Sequence, residues 1–246
     1  MEKTNGLIIR QSDYGDGNRM LTVFTENFGI IKAAVYGVKK AKSRQSAASQ
    51  FLSWAEFLLY FGKGDVASVN SVSSIESFFP VCEDITKLAL CSYICDITYH
   101  VQAPGIPNVP LLRLLLNSVY ACAYLKIPLK KIKTVFELRL IADMGYLPII
   151  SECAACGEKK PLHFFSAECN GFICGDCHSP LSDDIAVSDE EYNSIGYILT
   201  ANEKKIYSFD ISDDGLDKIG LISEKYLLLH TEKNFSSLEY LKKLLT

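Results

Sequence analysis

A chain of 246 residues, 48% apolar and carrying a net charge of −4, is long enough for one large or two modest domains and too acidic for a generic polyanion binder. No stretch approaches the ~20 apolar residues of a membrane span, and Met1-Glu2-Lys3-Thr4-Asn5 lacks a signal-peptide pattern, so a soluble, cytoplasmic protein is expected. In a reducing compartment nine cysteines imply metal ligands and buried thiols, not disulfides.

Short β-rich runs come first. Gly6–Arg10, Met20–Thr25, Ile30–Tyr36, Phe51–Phe61 and Ala67–Glu76 alternate or run apolar, separated by the turn clusters Tyr14–Asn18, Asn27–Gly29 and Gly62–Asp65. Gly37 to Gln50 is small, polar and basic, and reads as a loop. Five strands in about 75 residues fit a small closed barrel, with the five-stranded OB-fold as leading candidate and an SH3-like barrel as alternative. Pro80 marks a boundary. Beyond it the period becomes helical: Ile85–Ala103 is apolar nearly all round, Leu111–Leu125 follows a proline-rich breaker, and Pro128 opens a third helix that stops at Gly145. Cys91, Cys95 and Cys122 read as core thiols. Ser188 with Glu191, and Ser236 with Glu239, have capping-box spacing, and Asp213 and Asp214 suit a helix start. Helices are therefore expected at 188–199, about 213–231 and 236–245, packed on the earlier three. The predicted class is α+β, multi-domain: an OB-fold at 1–80 and a helical domain at 81–246.

Between those helices stand Cys153-x-x-Cys156 and Cys174-x-x-Cys177, with seventeen residues separating the pairs. Each Cys-x-x-Cys turn converges two thiolates on one ion, and two turns make a tetrahedral four-sulfur cage, which this spacing fits for zinc. Four protein ligands leave no open position, so one structural Zn2+ per chain, within a segment at about 150–180, is expected. Cys169, His163 and His178 are competing donors that break the symmetry of the pairs. Phe164, Phe165 and Phe172 are expected to cover the cage.

Charge is unevenly spread. Residues 1–80 hold nine Lys/Arg against seven Asp/Glu, no acid lies between Glu26 and Glu56 or between Asp96 and Glu137, and residues 182–217 are strongly acidic. The basic loop Gly37-Val38-Lys39-Lys40-Ala41-Lys42-Ser43-Arg44 on a predicted barrel, with Tyr36 before it, suits a cationic groove with aromatic stacking for single-stranded nucleic acid. Arg19, Lys32 and Tyr14 extend that groove, and Arg113 with Lys130, Lys131 and Lys133 offers a second track. Trp54 is either a stacking residue or core. No phosphate loop, dinucleotide fingerprint, His-Glu-x-x-His or nucleophile motif is present, and Asp96 and Asp143 stand isolated, so binding rather than catalysis is expected.

The order of basic barrel, helical domain and four-cysteine segment resembles the RecO family of bacterial DNA repair and recombination mediators across essentially the whole chain. The resemblance is carried by Gly37–Arg44, by Phe136–Pro148 leading into Cys153-x-x-Cys156-Gly157, by Phe165-Ser166 ahead of Gly171-Phe172-x-Cys174, and by Ser236–Leu241. One departure is Asn170 where the family commonly has glycine. The resemblance implies a non-enzymatic protein that binds single- and double-stranded DNA and anneals complementary strands. With RecR it would help load RecA onto DNA coated by single-strand-binding protein, and it would associate with the nucleoid during repair. The competing readings are an RNA-binding or translation-linked OB protein with a zinc ribbon, a hydrolase whose residues converge only in three dimensions, and a purely structural subunit.

Overall fold

Five strands from the first 76 residues close on themselves. In the computed structural model, which describes residues 1–37 and 44–245, these are β1 (Glu2–Tyr14), β2 (Asn18–Thr25), β3 (Gly29–Val35), β4 (Trp54–Tyr60) and β5 (Val66–Glu76). They form a closed barrel in the order β1-β2-β3-β5-β4, antiparallel except where β3 runs parallel to β5 over Lys32–Ala34. That closure is the OB-fold. One face of each strand supplies the interior, including Ile8, Leu21, Val23, Ala33, Val35, Phe57 and Leu59. β1 is longer than expected because it pairs with both β2 and β4, and a bulge at Ile9 bends it between them. β4 starts later than expected. Leu52 takes a left-handed φ of 66°, and its N–H bonds to the Ile8 carbonyl.

The expected loop before β4 contains a short helix, α1 (Arg44–Ala48), whose Ala48 joins the barrel core. Five residues are too few to show a helical period. A second unforeseen turn, α2 (Phe79–Cys82), carries Pro80 in its first turn, where a missing N–H costs nothing.

The longer helices fall where they were predicted. α3 (Ile85–Val101) is capped by Asp84, α4 (Val109–Tyr124) by Asn108, and α5 (Leu129–Asp143) starts at Pro128. β6 (Leu162–Ser166), β7 (Gly171–Cys174) and β8 (Ile185–Ala186) form a small sheet in the order β7-β6-β8 that the sequence reading did not foresee. α6 (Asp189–Thr200) begins with the Ser188–Glu191 capping box, α7 (Asp213–Thr231) with Ser212, and α8 (Ser236–Leu245) follows. Ser236 is already helical rather than capping, since the Glu239 N–H bonds to the Phe235 carbonyl. Asn170 adopts a φ of 57°, a left-handed conformation asparagine tolerates, so the departure from glycine leaves the β6–β7 turn intact.

The chain forms two compact units: residues 1–125 with 235–246, and residues 126–234. In the first, α8 lies on α3. Phe235 meets the rings of Tyr93 and His100 edge-on, and Ser237 donates to Asp96. The three late helices pack on the earlier three as expected: α6 and α7 on α5 within the second unit, and α8 on α3 within the first. Asp96 is not isolated. It pairs with Arg10 of β1, whose guanidinium lies 3.7 Å from the centroid of the Tyr99 ring, and so ties barrel to helix.

Candidate nucleic-acid interface and metal centre

Strand register places the outward face of β1–β2–β3. Arg10 pairs with Thr22 and Thr22 with Lys32, which makes one row across three strands. Four residues further along, Tyr14 pairs with Asn18, and the Asn18 Oδ1 accepts the Gly37 N–H at 3.0 Å, bringing Tyr36 alongside. A four-residue step preserves the face and covers about 13 Å. Tyr14 and Tyr36 are 45% and 56% exposed, and Lys32 is exposed between them and the turn after β4. Two open rings and an exposed cation on the strand 2–3 face are what an OB-fold presents to a strand of nucleic acid.

The other cations divide. Lys39, Lys40 and Lys42 lie outside the described residues. Arg44 opens α1. Arg19 points to the interior side of the sheet, where its Nη1 donates to the Ser46 and Ser49 carbonyls and to the Ser49 hydroxyl at 2.9–3.3 Å. It fixes α1 to β2 and so anchors the segment that leads out of the basic loop. Trp54 is half-buried at the start of β4.

The three α5 lysines of the expected second track each have a partner in the structure. Lys133 is buried, with Nζ 2.9–3.0 Å from both oxygens of Glu137 and 3.0 Å from Glu224. Burial depresses this ammonium, but the two carboxylates outweigh it and raise its pKa above the ordinary value. Lys131 donates to the Phe209 carbonyl and sits over that ring, and Lys130 pairs with Asp217 at 2.7 Å. The acids Asp217 and Glu224 lie more than eighty residues from Lys130 and Lys133, a distance that leaves no trace in local charge counts.

The metal segment is built by turns. Gly157, at φ 73°, returns its N–H to the Cys153 carbonyl at 2.8 Å, and the N–H groups of Cys177 and His178 return to the Cys174 carbonyl. The four sulfurs of Cys153, Cys156, Cys174 and Cys177 lie within 4.8 Å of one another. A tetrahedral ion with metal–sulfur bonds of about 2.3 Å needs sulfurs about 3.8 Å apart, so the set fits. Burial raises the Cys153 thiol, but N–H groups of Cys156, Cys174 and Ala155 together pull it down to about 6, the direction that favours a thiolate ligand. The Cys177 thiol, hydrogen-bonded to the sulfurs of Cys156 and Cys174, is pushed up to about 12. Leu162, Phe164 and Ile173 cover the cysteines. Phe165 and Phe172 do not, because alternation along β6 and β7 turns them the other way, edge-on to Tyr226 of α7 and Tyr192 of α6 at 5.3 and 5.0 Å.

His178 stacks on Phe164 and its Nδ1 meets Asp184 at 3.0 Å, so it is held away from the sulfurs. Ser182 lies close to the same Nδ1 and to Asp184. A nucleophile and an orienting carboxylate must take opposite ring nitrogens, and these two share one, so Ser182, His178 and Asp184 do not make a hydrolytic triad. Among the described residues no helix is long and apolar enough to cross a membrane.

Against known families, a model described as "Recombination protein O N terminal" matches residues 1–78, and one described as "Recombination protein O C terminal" matches residues 82–239. A protein named DNA repair protein RecO from Acetivibrio thermocellus is 33% identical over 244 residues, covering 98% of this chain and 96% of its own length. Proteins of the same name from Alkaliphilus metalliredigens and Caldanaerobacter subterraneus are 28% and 25% identical, each covering 98% of this chain and 99% and 98% of their own lengths.

Proposed function

The chain belongs to the RecO family, whose role is in DNA repair and recombination, and from that premise we propose that residues 1–80 are its DNA-binding module and that it anneals strands without cutting or joining them. The observation that carries this reading is the outward row of Tyr14, Asn18 and Tyr36, from which the basic loop departs, on the same face as Lys32 four residues back along β3. Rings and cations of that kind hold single strands chiefly by stacking and charge. Lys39, Lys40, Lys42 and Arg44 neutralise phosphates of single- and double-stranded DNA, which lets complementary strands approach. Lys32 adds to that charge, while Arg19 holds α1 in place behind the loop. Lys130, Lys131 and Lys133 take no part, since Lys130 and Lys133 pair with acids and Lys131 is held by the Phe209 carbonyl and ring within residues 126–234.

Together with RecR the protein promotes RecA loading on DNA coated by single-strand-binding protein, acting in the cytoplasm at the nucleoid. The helical remainder, residues 81–246, supplies surfaces for those partners. One structural Zn2+ is held by Cys153, Cys156, Cys174 and Cys177. A soft four-thiolate set favours zinc, and a filled coordination sphere leaves it no catalytic position.

The test is annealing of complementary labelled oligonucleotides by the wild type and by a Lys39→Glu, Lys40→Glu, Arg44→Glu variant of verified fold. Acceleration by the wild type and its loss in the variant support the reading. Equal annealing by both removes the basic loop from it, and no acceleration by either removes the function.

A further inference from the structure

Strand β3 changes partner along its length. At Ile30 it bridges in parallel to Pro104, and the Gly105 N–H bonds to the Ile30 carbonyl at 3.1 Å. Two residues later, at Lys32, it pairs instead with Val66 of β5. The two partners diverge around Ile31 and leave a groove of about 480 Å3. Ile31 and Lys32 line its floor, with Phe61 and Asp65 from the turn after β4 and Tyr99 and Gly105 from the helical side. The helical wall is fixed by backbone contact. At Gly29, with φ 61°, a Cβ would stand 2.2 Å from the Ile106 carbonyl oxygen, so only glycine lets the two backbones approach this closely.

Three features of the groove point to one occupant. Phe61 is 41% exposed and is backed by the Phe28 ring at a centroid distance of 5.0 Å, so it is a held ring with open surface. Among the described residues, neither Lys32 nor Asp65 has an ion-pair partner, although Asp65 adjoins the residue paired with Lys32. A peptide strand could not extend the sheet here, because β3 is already partnered by Pro104 and Val66 on either side of Ile31, and proline has no N–H to offer. A flat ring bearing amino hydrogens on one edge and an anion on the other matches the aromatic, the carboxylate and the cation together.

We propose that this groove is a subsite for one unstacked nucleobase of a bound strand. The base stacks on Phe61, its exocyclic amino group donates to Asp65, and its backbone phosphate lies by Lys32. The inference rests on the DNA-binding reading and deepens it. It assigns the barrel a chemical preference: adenine, cytosine and guanine carry an exocyclic amino group, and thymine does not, so its O4 would face the carboxylate.

Anisotropy with oligo(dC) and oligo(dT) of equal length, at neutral pH and fixed salt, tests this, since both are pyrimidines and differ at the edge that meets Asp65. Wild type is expected to bind oligo(dC) about five- to tenfold more tightly. Asp65→Asn, whose amide serves either base, should bring the ratio to about one. Phe61→Ala should weaken both strands about tenfold through lost stacking. Lys32→Gln should make the log–log salt slope shallower by about 0.7, the share of one phosphate on a single strand. A wild type that binds both strands with a ratio indifferent to Asp65→Asn overturns the subsite alone. A wild type that binds no strand overturns the DNA reading and the subsite with it.

Discussion

Lys133 is the residue whose role changes most between charge counting and coordinates, and Lys133→Met is the sharpest test of the change. Methionine keeps the length of the stem, so the perturbation is the charge and not a cavity. The ammonium is the shared partner of Glu137, which is 0% exposed in its side chain, and Glu224, which is 16% exposed. Removing one partner from a buried ion pair costs about 3–5 kcal/mol. The lower end applies here, because Glu137 keeps the Ser223 hydroxyl at 2.6 Å and Glu224 reaches some water. A loss of about 3 kcal/mol corresponds to roughly 13 °C in Tm for a unit of this size. Urea unfolding followed by circular dichroism measures it. Adding Glu137→Leu to Lys133→Met should cost less than the sum of the single changes, with about 1–3 kcal/mol of coupling, since the stranded carboxylate is gone. DNA affinity measured where the variant is folded should match wild type. The sign with pH also follows. The lysine pKa is raised in the folded state, so its contribution is complete below the ordinary value of 10.5 and fades only as pH rises through the folded value. Retained stability together with lost DNA affinity would refute the assignment and return Lys133 to the DNA track.

Replacing Cys156 or Cys174 by Ala should lower bound zinc, read by metal analysis, and thermal stability together, with DNA affinity falling only as folding fails. Selective loss of DNA binding in a fully stable variant would place the metal segment on DNA instead. Gly29→Ala should destabilise by about 2–3 kcal/mol, combining left-handed strain with the clash at the Ile106 carbonyl, and hydrogen exchange should quicken around residues 103–106. Stability should also decline in acid. At Glu191 burial raises the carboxyl, but the Ser188 hydroxyl and N–H and Lys218 outweigh it and hold the pKa below the ordinary 4.5, and at Glu76 the Phe78 N–H, with Tyr124 and the Ser77 N–H, does the same. Both contributions are present above the unfolded value and are lost as pH falls through the folded one, so Glu191→Gln should flatten the acid limb of a stability–pH curve. An unchanged limb would rule Glu191 out.

What the sequence made legible was local. The Ser188–Glu191 box, the breaker before α4 and the paired Cys-x-x-Cys turns each act within a few residues, and each appears where it was expected. The parallel closure of β3 on β5 was accessible only as strand count, because register between strands thirty residues apart is set by the pleat and by the turns between them. The β6–β7–β8 sheet escaped because strands of five, four and two residues show no period, and because the cysteines dominate that segment. The roles of the cations were least legible. Arg19, Lys32 and Lys133 are alike as sequence, yet one anchors a helix, one faces outward from the barrel and one is buried between two acids. Only the groups that packing brings to them make the difference.

Chain order has an energetic consequence for the first unit. Residues 126–234 lie between the two pieces of the first unit, so α8 docks on α3 only after a long segment has been closed into a loop. With that segment unfolded, closing roughly a hundred residues costs on the order of 4 kcal/mol, before any fixed term. Against it stand Phe235, Leu238 and Leu241, each nearly fully buried, at about 2 kcal/mol apiece as an upper estimate. The closure cost is thus of the same order as the burial that opposes it. A folded 126–234 unit removes most of the closure cost, because it fixes the separation of its own ends. Whatever keeps residues 126–234 folded therefore acts beyond that unit, because it lets α8 reach α3, where Ser237 meets the same Asp96 that fastens Arg10 of the barrel.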